Sequence, residues 1–384
     1  MGKGRHIAAA AIGAAVVLAT IQAGGEPPTT RPRWVLPEGS GVEAEPDSMR
    51  VSGDGRYVYF QENDEGPSEL LNDHDAYSHV HIARFDTTTG QAINLGNLFR
   101  KNAQVKEDAS AFCPSPENSD VLITTCDLST ENRNAPPHLY VLSAQGDKPV
   151  RLDKGDAIGT WLGKDVLLTP LNGFRAQPLQ IVSVTGVAVR TLKLCGLALC
   201  ADARTGMAAA IVDPDAPGKT ISVDELKRRG QLVLISTAGE GKVLTRVLKM
   251  AEFGSIPRLS PNAEYLVCQR AVPTGKPEQE DGPPPSKRTV LVAHAGDPAP
   301  WEIDTPDLPI HVTDTGRVLT VGDVDNTKPR SEHNPAGVSV TIWGRKDAPK
   351  VLATNVHAAA VHGKVLYYIT GRDRRSIETM PIPD

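Results

Sequence analysis

The sequence predicts an all-β fold in which one four-stranded unit recurs around a ring. Three observations predict it. A short apolar strand, a tight turn and a longer apolar strand recur along the chain. A further strand pair with a glycine-bearing turn follows several of these copies. Successive first turns lie 43 to 63 residues apart, a period that suits one four-stranded sheet per repeat. This is the pattern of a β-propeller.

The copies justify the reading in chain order. Ser48–Phe60 is the clearest, with its turn at Gly55. Cys113–Thr124, Trp161–Thr169 and Leu199–Val212 are weaker, with turns near Asn118, Gly163 and Gly206. Ile256–Cys268, Ile310–Val321 and Val356–Ile369 return to the full plan, around Ala263, Gly316 and Gly363. Second hairpins join Val80–Phe85 to Ala92–Leu95, Leu139–Leu142 to Val150–Leu152, Leu232–Ile235 to Val243–Val247, and Val290–Ala293 to Trp301–Ile303. Seven turns give seven blades, with six or eight as alternatives. The last unit, Val365–Ile369 with Ile377–Pro381, is one strand short. The unpartnered segment Arg33–Pro37 is predicted to supply that strand and close the ring, which removes exposed sheet edges.

The stretch Ser52-Gly-Asp-Gly-Arg-Tyr-Val-Tyr-Phe60 resembles the Ser-Pro-Asp-Gly-x-x-Ile-Ala-Phe core of the TolB-type, WD-repeat-like propeller repeat. Ser260-Pro-Asn-Ala-Glu-Tyr-Leu-Val267 is a looser copy, with Asn for Asp and Ala for Gly. The resemblance spans most of residues 45–384 and implies a fold more than a function. TolB itself is a periplasmic binding protein with an additional N-terminal domain, for which the short stretch before the first unit leaves no room. Ser52, Asp54 and Ser260 are predicted to cap backbone N–H groups in the turn.

Ahead of the repeats, Lys3 and Arg5 precede an uncharged run from Ile7 to Ala23, the layout of a secretory signal peptide. We therefore expect three segments: a signal peptide over 1–23, a proline-rich lead-in over 24–32, and a single propeller over 33–384. The expected location is periplasmic or secreted, with no membrane span after cleavage. An uncleaved membrane anchor is the alternative for the first run. Charge is nearly balanced, 41 Lys+Arg against 46 Asp+Glu, which argues against a nucleic-acid partner. The mature protein is expected to be a monomer. Cys113, Cys126, Cys195, Cys200 and Cys268 fit no metal or redox spacing, and read as buried small hydrophobes or as one local disulfide.

Two groups of residues are candidates for binding. Aligning the first turns puts Arg50, Arg258 and His311 at equivalent positions of three innermost strands, where they would converge on the central channel and favour an anionic ligand. Pairing with carboxylates of neighbouring blades is the competing expectation. His74, His79, His81, Asp73 and Asp75 cluster near the end of the first long loop, and a divalent metal is the cofactor they would take. Asp323-Val-Asp-Asn326 is a further acidic candidate. No cofactor is otherwise expected.

The loops between second and third strands are long: Glu62–Ser78, Asp127–Pro137, Asp213–Gly230, Ala271–Lys287 and Asp323–Ala336. Long loops on a rigid scaffold commonly carry binding. Within the third, Ser222–Gly230 has helix start and stop signals. There is no Gly-x-Ser-x-Gly elbow, phosphate loop or dinucleotide fingerprint. The sequence favours a non-catalytic binding or scaffold protein that recognises a protein, peptide or glycan on the long-loop face. A metal-dependent lyase or hydrolase with a His/Asp site in the disc is the alternative.

Overall fold

The structure, a computed structural model, describes residues 33–36, 48–61, 82–95, 107–127, 138–144, 148–153, 155–173, 175–200, 205–215, 217–239, 241–245, 254–275, 286–295, 297, 299–322, 337–371 and 374–383. All of them belong to one compact unit, Arg33–Asp384. The residues of the predicted signal peptide and lead-in lie outside the described set.

Strand β1 (Arg33–Val35) comes first. The first unit is β2 (Met49–Val51), β3 (Tyr57–Gln61), β4 (Ile82–Asp86) and β5 (Ala92–Asn94). The second is β6 (Glu107–Pro114), β7 (Val121–Asp127), β8 (His138–Leu142) and β9 (Val150–Arg151). Next come β10 (Ala157–Leu162), β11 (Asp165–Asn172), β12 (Arg175–Ala176), β13 (Pro178–Val182) and β14 (Ala188–Cys200). They are followed by β15 (Met207–Val212), β16 (Ile221–Ser222), helix α1 (Val223–Arg229), β17 (Gln231–Ser236) and β18 (Gly241–Thr245). Then come β19 (Arg258–Leu259), β20 (Tyr265–Pro273), β21 (Ser286–His294) and β22 (Trp301–Ile303). The last two groups are β23 (Leu308–Val312), β24 (Val318–Val321), β25 (Val338–Trp343) and β26 (Lys350–Val356), then β27 (Ala358–His362), β28 (Val365–Thr370) and β29 (Ser376–Pro381).

The architecture is an all-β propeller with four-stranded blades. Antiparallel neighbours in chain order build five discrete four-stranded sheets: β2–β5, β6–β9, β19–β22, β23–β26, and β27–β29 with β1. Seven discrete sheets were expected, and this corrects that expectation. The remaining strands join in one nine-stranded sheet. The cause is β14, an unbroken strand of 13 residues. Its first part pairs with β13 and its second part, Gly196–Cys200, pairs with β15, so no turn separates two sheets there. The short pair β12–β16 adds a further extension.

Local chemistry explains the first turns. In the first unit Gly55 takes φ 75°, a left-handed conformation that suits a residue without Cβ. The Ser52 hydroxyl donates to Asp54 Oδ1 at 2.6 Å and accepts from the Tyr57 amide at 2.9 Å. The β19–β22 sheet repeats the device with Ser260, Asn262 and Tyr265 at 2.6 and 3.0 Å. There Ala263 takes φ 57° in place of glycine. The predicted structural roles of Ser52, Asp54 and Ser260 are those seen. Helix α1 is the predicted one: Ser222 is its N-cap, and with Glu225 it forms a reciprocal capping box.

The core lies between successive sheets rather than inside any one of them. Met49, Val58 and Phe60 of the first unit pack on Ala358, Tyr367 and Ile369 of the last. Tyr57 and Tyr59, from the other face of β3, pack with Val121 and Ile123 of the second unit. Period-2 alternation thus lets one strand serve two interfaces. Strand β1 pairs with β29, setting Arg33 opposite Glu378 and Val35 opposite Ser376. No described helix is long and apolar enough to cross a membrane.

Candidate functional site: a cationic cavity at the first turns

Arg50, Arg258 and His311 do come together. They line one cavity of about 100 Å³. Its walls come from the innermost strands of five sheets: β2, β6, β19, β23 and β27. Each of the three sits two residues before the hydroxyl residue that opens its turn, namely Ser52, Ser260 and Thr313. The turns behave alike, since the Arg317 amide donates to the Thr313 hydroxyl at 3.0 Å as Tyr57 does to Ser52. A shared turn therefore gives a shared direction to the side chains before it.

One irregularity helps aim His311. The register of β23 on β24 slips between Pro309 and His311, leaving Ile310 as the extra residue of a bulge. Bulges break strict alternation and re-aim side chains. Both Ile310 and His311 line the cavity.

Two wall residues were not singled out in the sequence. Cys113 stands two residues before Ser115, the equivalent of Arg50 in the second unit, so the same alignment points to it. His362 had no such signal. Its unit turns through Gly363-Lys364 alone, with His362 opposite Val365, so the alignment on Ser52 does not reach it. The His362 ring lies against Gly55 of the first unit, where an added Cβ would stand 3.0 Å from it.

The described walls carry two arginines and two histidines, and no Asp or Glu is among the described lining residues. Arg50 also donates from Nη1 to its neighbour's carbonyl, Met49 O, at 2.8 Å, which restrains its swing. The rest of the wall is apolar or small: Val51, Pro114, Ala359, Ala360 and Val361. Trp161 braces β6 from behind, donating from Nε1 to the Cys113 carbonyl at 2.8 Å.

The cavity lies at the first-turn end of the strands, beside Gly53, Pro116, Pro261 and Gly363. The segments between second and third strands leave from the other end, where Gln61 pairs with Ile82 and Pro273 with Ser286. The cavity is thus at the end of the sheets opposite to where those strand pairs end. The metal candidates His74, His79, His81, Asp73 and Asp75, and Asp323 with Asp325, lie outside the described residues. Cys195 and Cys268 are buried thiols outside any disulfide, and burial pushes the Cys268 thiol up to about 12. The side chains of Cys126 and Cys200 lie outside the described set.

No known family pattern and no curated protein matches the chain. Solved structures do. Hydrazine synthase of Kuenenia stuttgartiensis is 13% identical over 93% of this chain and 99% of its own, with TM-score 0.44. An acylaminoacyl peptidase of Pyrococcus horikoshii is 11% identical over 83% of this chain, TM-score 0.47, and this chain spans only 45% of its length. TolB from Acinetobacter baumannii is 10% identical over 78% of this chain and 75% of its own, TM-score 0.37. Identities this low transfer neither activity nor partner.

Proposed function

We propose that this protein is a non-catalytic, extracytoplasmic propeller that holds a protein, peptide or glycan partner by an anionic group. In this reading β1, paired with β29, closes the ring. The observation that carries the binding reading is the convergence of Arg50, Arg258 and His311 on one cavity whose described lining has no carboxylate. Arginine keeps its charge at any physiological pH and presents a fork of donors suited to oxyanions. Low-dielectric walls strengthen the field such groups make. This reading puts recognition at the first-turn end rather than on the long-loop face.

The test is calorimetric titration of acidic and neutral peptides and glycans at low salt. Binding confined to acidic ligands is expected. It should weaken about tenfold in Arg258→Gln, since a hydrogen bond to a charged group contributes about 1.5–3 kcal/mol. Equal affinity for neutral ligands, or no change in the variant, would sink the reading.

A further inference from the structure

We propose that a second cleft, beside β13 and β14, binds an aliphatic primary ammonium through Asp156: a small free amine or a lysine side chain. This site is separate from the cationic cavity and does not rest on the reading of it.

The cleft has a volume of about 690 Å³, within the range of about 300–1,000 Å³ that small-molecule sites take. Strand β9 of the second unit stops after two residues, and the residues after it line the cleft together with residues of β11, β13 and β14. Register sets three of them side by side. Gln180 stands opposite Leu168 on β11 and opposite Thr191 on β14. Asp156 and Gln177 are tied to one stretch of β11. The Leu171 amide donates to the Asp156 carbonyl at 2.8 Å, and the Gln177 amide to the Pro170 carbonyl at 2.9 Å. Gly155, Val187, Ala188 and Thr191 are exposed, so the cleft opens to solvent.

The polar side chains differ in what they already hold. Asp153 is 2% exposed and occupied: it accepts from the Leu139 amide at 2.6 Å and from Arg151 Nε at 2.9 Å. Asp156, Gln177, Gln180 and Thr191 have no side-chain hydrogen bond or ion pair among the described residues. No Lys or Arg is among the described lining residues either. The half-buried Asp156 carboxylate is thus the one charge in the cleft without a described partner. The two amide oxygens and the Thr191 hydroxyl can accept as well.

An ammonium is the complement of such a set, with the opposite charge, three donors and no acceptor. An anion would meet Asp156 as a like charge, and a neutral polyol would leave that charge unanswered. Leu152, Leu168, Leu171 and Val182 also line the cleft, and a hydrocarbon stem gains by leaving water against them. Strands β11 and β13 have neighbours on both edges, so they offer no free row of backbone groups for an extended peptide.

The experiment is isothermal titration of the full chain, at pH 7 and low salt, with n-pentylamine, Nα-acetyl-lysine amide, 1-pentanol, pentanoate and glucose. Both amines are protonated at that pH. The amines are expected to bind, with pentanol, pentanoate and glucose at least tenfold weaker. Asp156→Asn, which keeps the shape and removes the charge, should weaken the amines about tenfold, the loss of one hydrogen bond to a charged group. Arg258→Gln should leave them unchanged. High salt should weaken the amines in the unaltered protein, a readout that needs no variant. Binding of one amine without the other identifies the source and supports the proposal. Pentanol or glucose binding as tightly as pentylamine overturns it. So do an unchanged amine affinity in Asp156→Asn, an affinity indifferent to salt, and the absence of amine binding.

Discussion

At Gly53 two neighbouring units approach closely. An added Cβ would stand 2.2 Å from the Pro116 carbonyl carbon, which is backbone and does not swing aside. Gly53→Ala should therefore cost about 1–3 kcal/mol through overpacking, read as a lower midpoint in denaturant unfolding. Cys113 offers a second reading at this scale. It is partly buried in the cationic wall, while Cys195 and Cys268 are fully buried. Iodoacetate, an anion, should alkylate Cys113 faster relative to neutral iodoacetamide than it does in the unfolded chain. That preference should drop in Arg50→Gln, and mass mapping of the labelled peptide checks it. Unchanged ratios would mean that the wall exerts no field on a small anion.

His357 adds a pH dependence. Burial holds its pKa below the usual 6.5, and the Arg374 guanidinium pushes the same way against a hydrogen bond to the Gly371 backbone. Its Nδ1 is buried with no hydrogen-bond partner among the described residues. The folded state thus prefers neutral imidazole, while the unfolded chain takes up a proton near the usual value. Stability from this group is complete above that value and is lost as pH falls from there through the folded pKa. Melting temperature should fall below about pH 6.5 for this reason, and part of the acid loss should vanish in His357→Gln. An unaltered pH profile in that variant would remove His357 as the cause.

At the scale of elements, β1 has only three residues, so its hold depends on what surrounds it. Trp34 stacks on Tyr367 with centroids 6.4 Å apart and meets Phe85 edge-on. Just beyond the strand, Leu36 is 1% exposed; its amide donates to the Arg375 carbonyl, and its own carbonyl accepts from Arg375 Nε and Nη2 at 3.0 and 2.7 Å. Leu36→Ala should cost about 2–5 kcal/mol, seen as an early thermal transition. An unchanged curve would show that the clasp is dispensable. Helix α1 is legible in sequence because its cap is local: Ser222 and Glu225 are three residues apart. Strand β14 is less so: Gly196 stands where its partner changes from β13 to β15, and an added Cβ there would lie 1.9 Å from the Ile211 carbonyl oxygen, but a lone glycine does not say which strand comes that close.

For the whole molecule, the cavity is a shared possession of five sheets. A ligand bound there favours the assembled state over the unfolded chain by about 2.7 kcal/mol at a hundredfold excess over Kd. An acidic peptide that binds there should therefore raise the melting temperature of the protein and leave that of Arg258→Gln nearly unmoved. A rise of equal size in both would place the ligand elsewhere.

The sequence by itself determined the repeat, the turns and three of the cavity's charged residues. These are local or periodic facts: a Ser or Thr caps its own turn, and equivalent positions before equal turns point the same way. Arg50, Arg258 and His311 could be aligned for that reason. The tertiary structure decided what depends on neighbours far apart in the chain. It set His362 against Gly55, let β14 run unbroken between two partners, and drew the first-turn ends of five sheets around one cavity. Hydrogen-bond patterns within a turn are encoded by adjacent residues, but packing between sheets is settled only when every unit is in place.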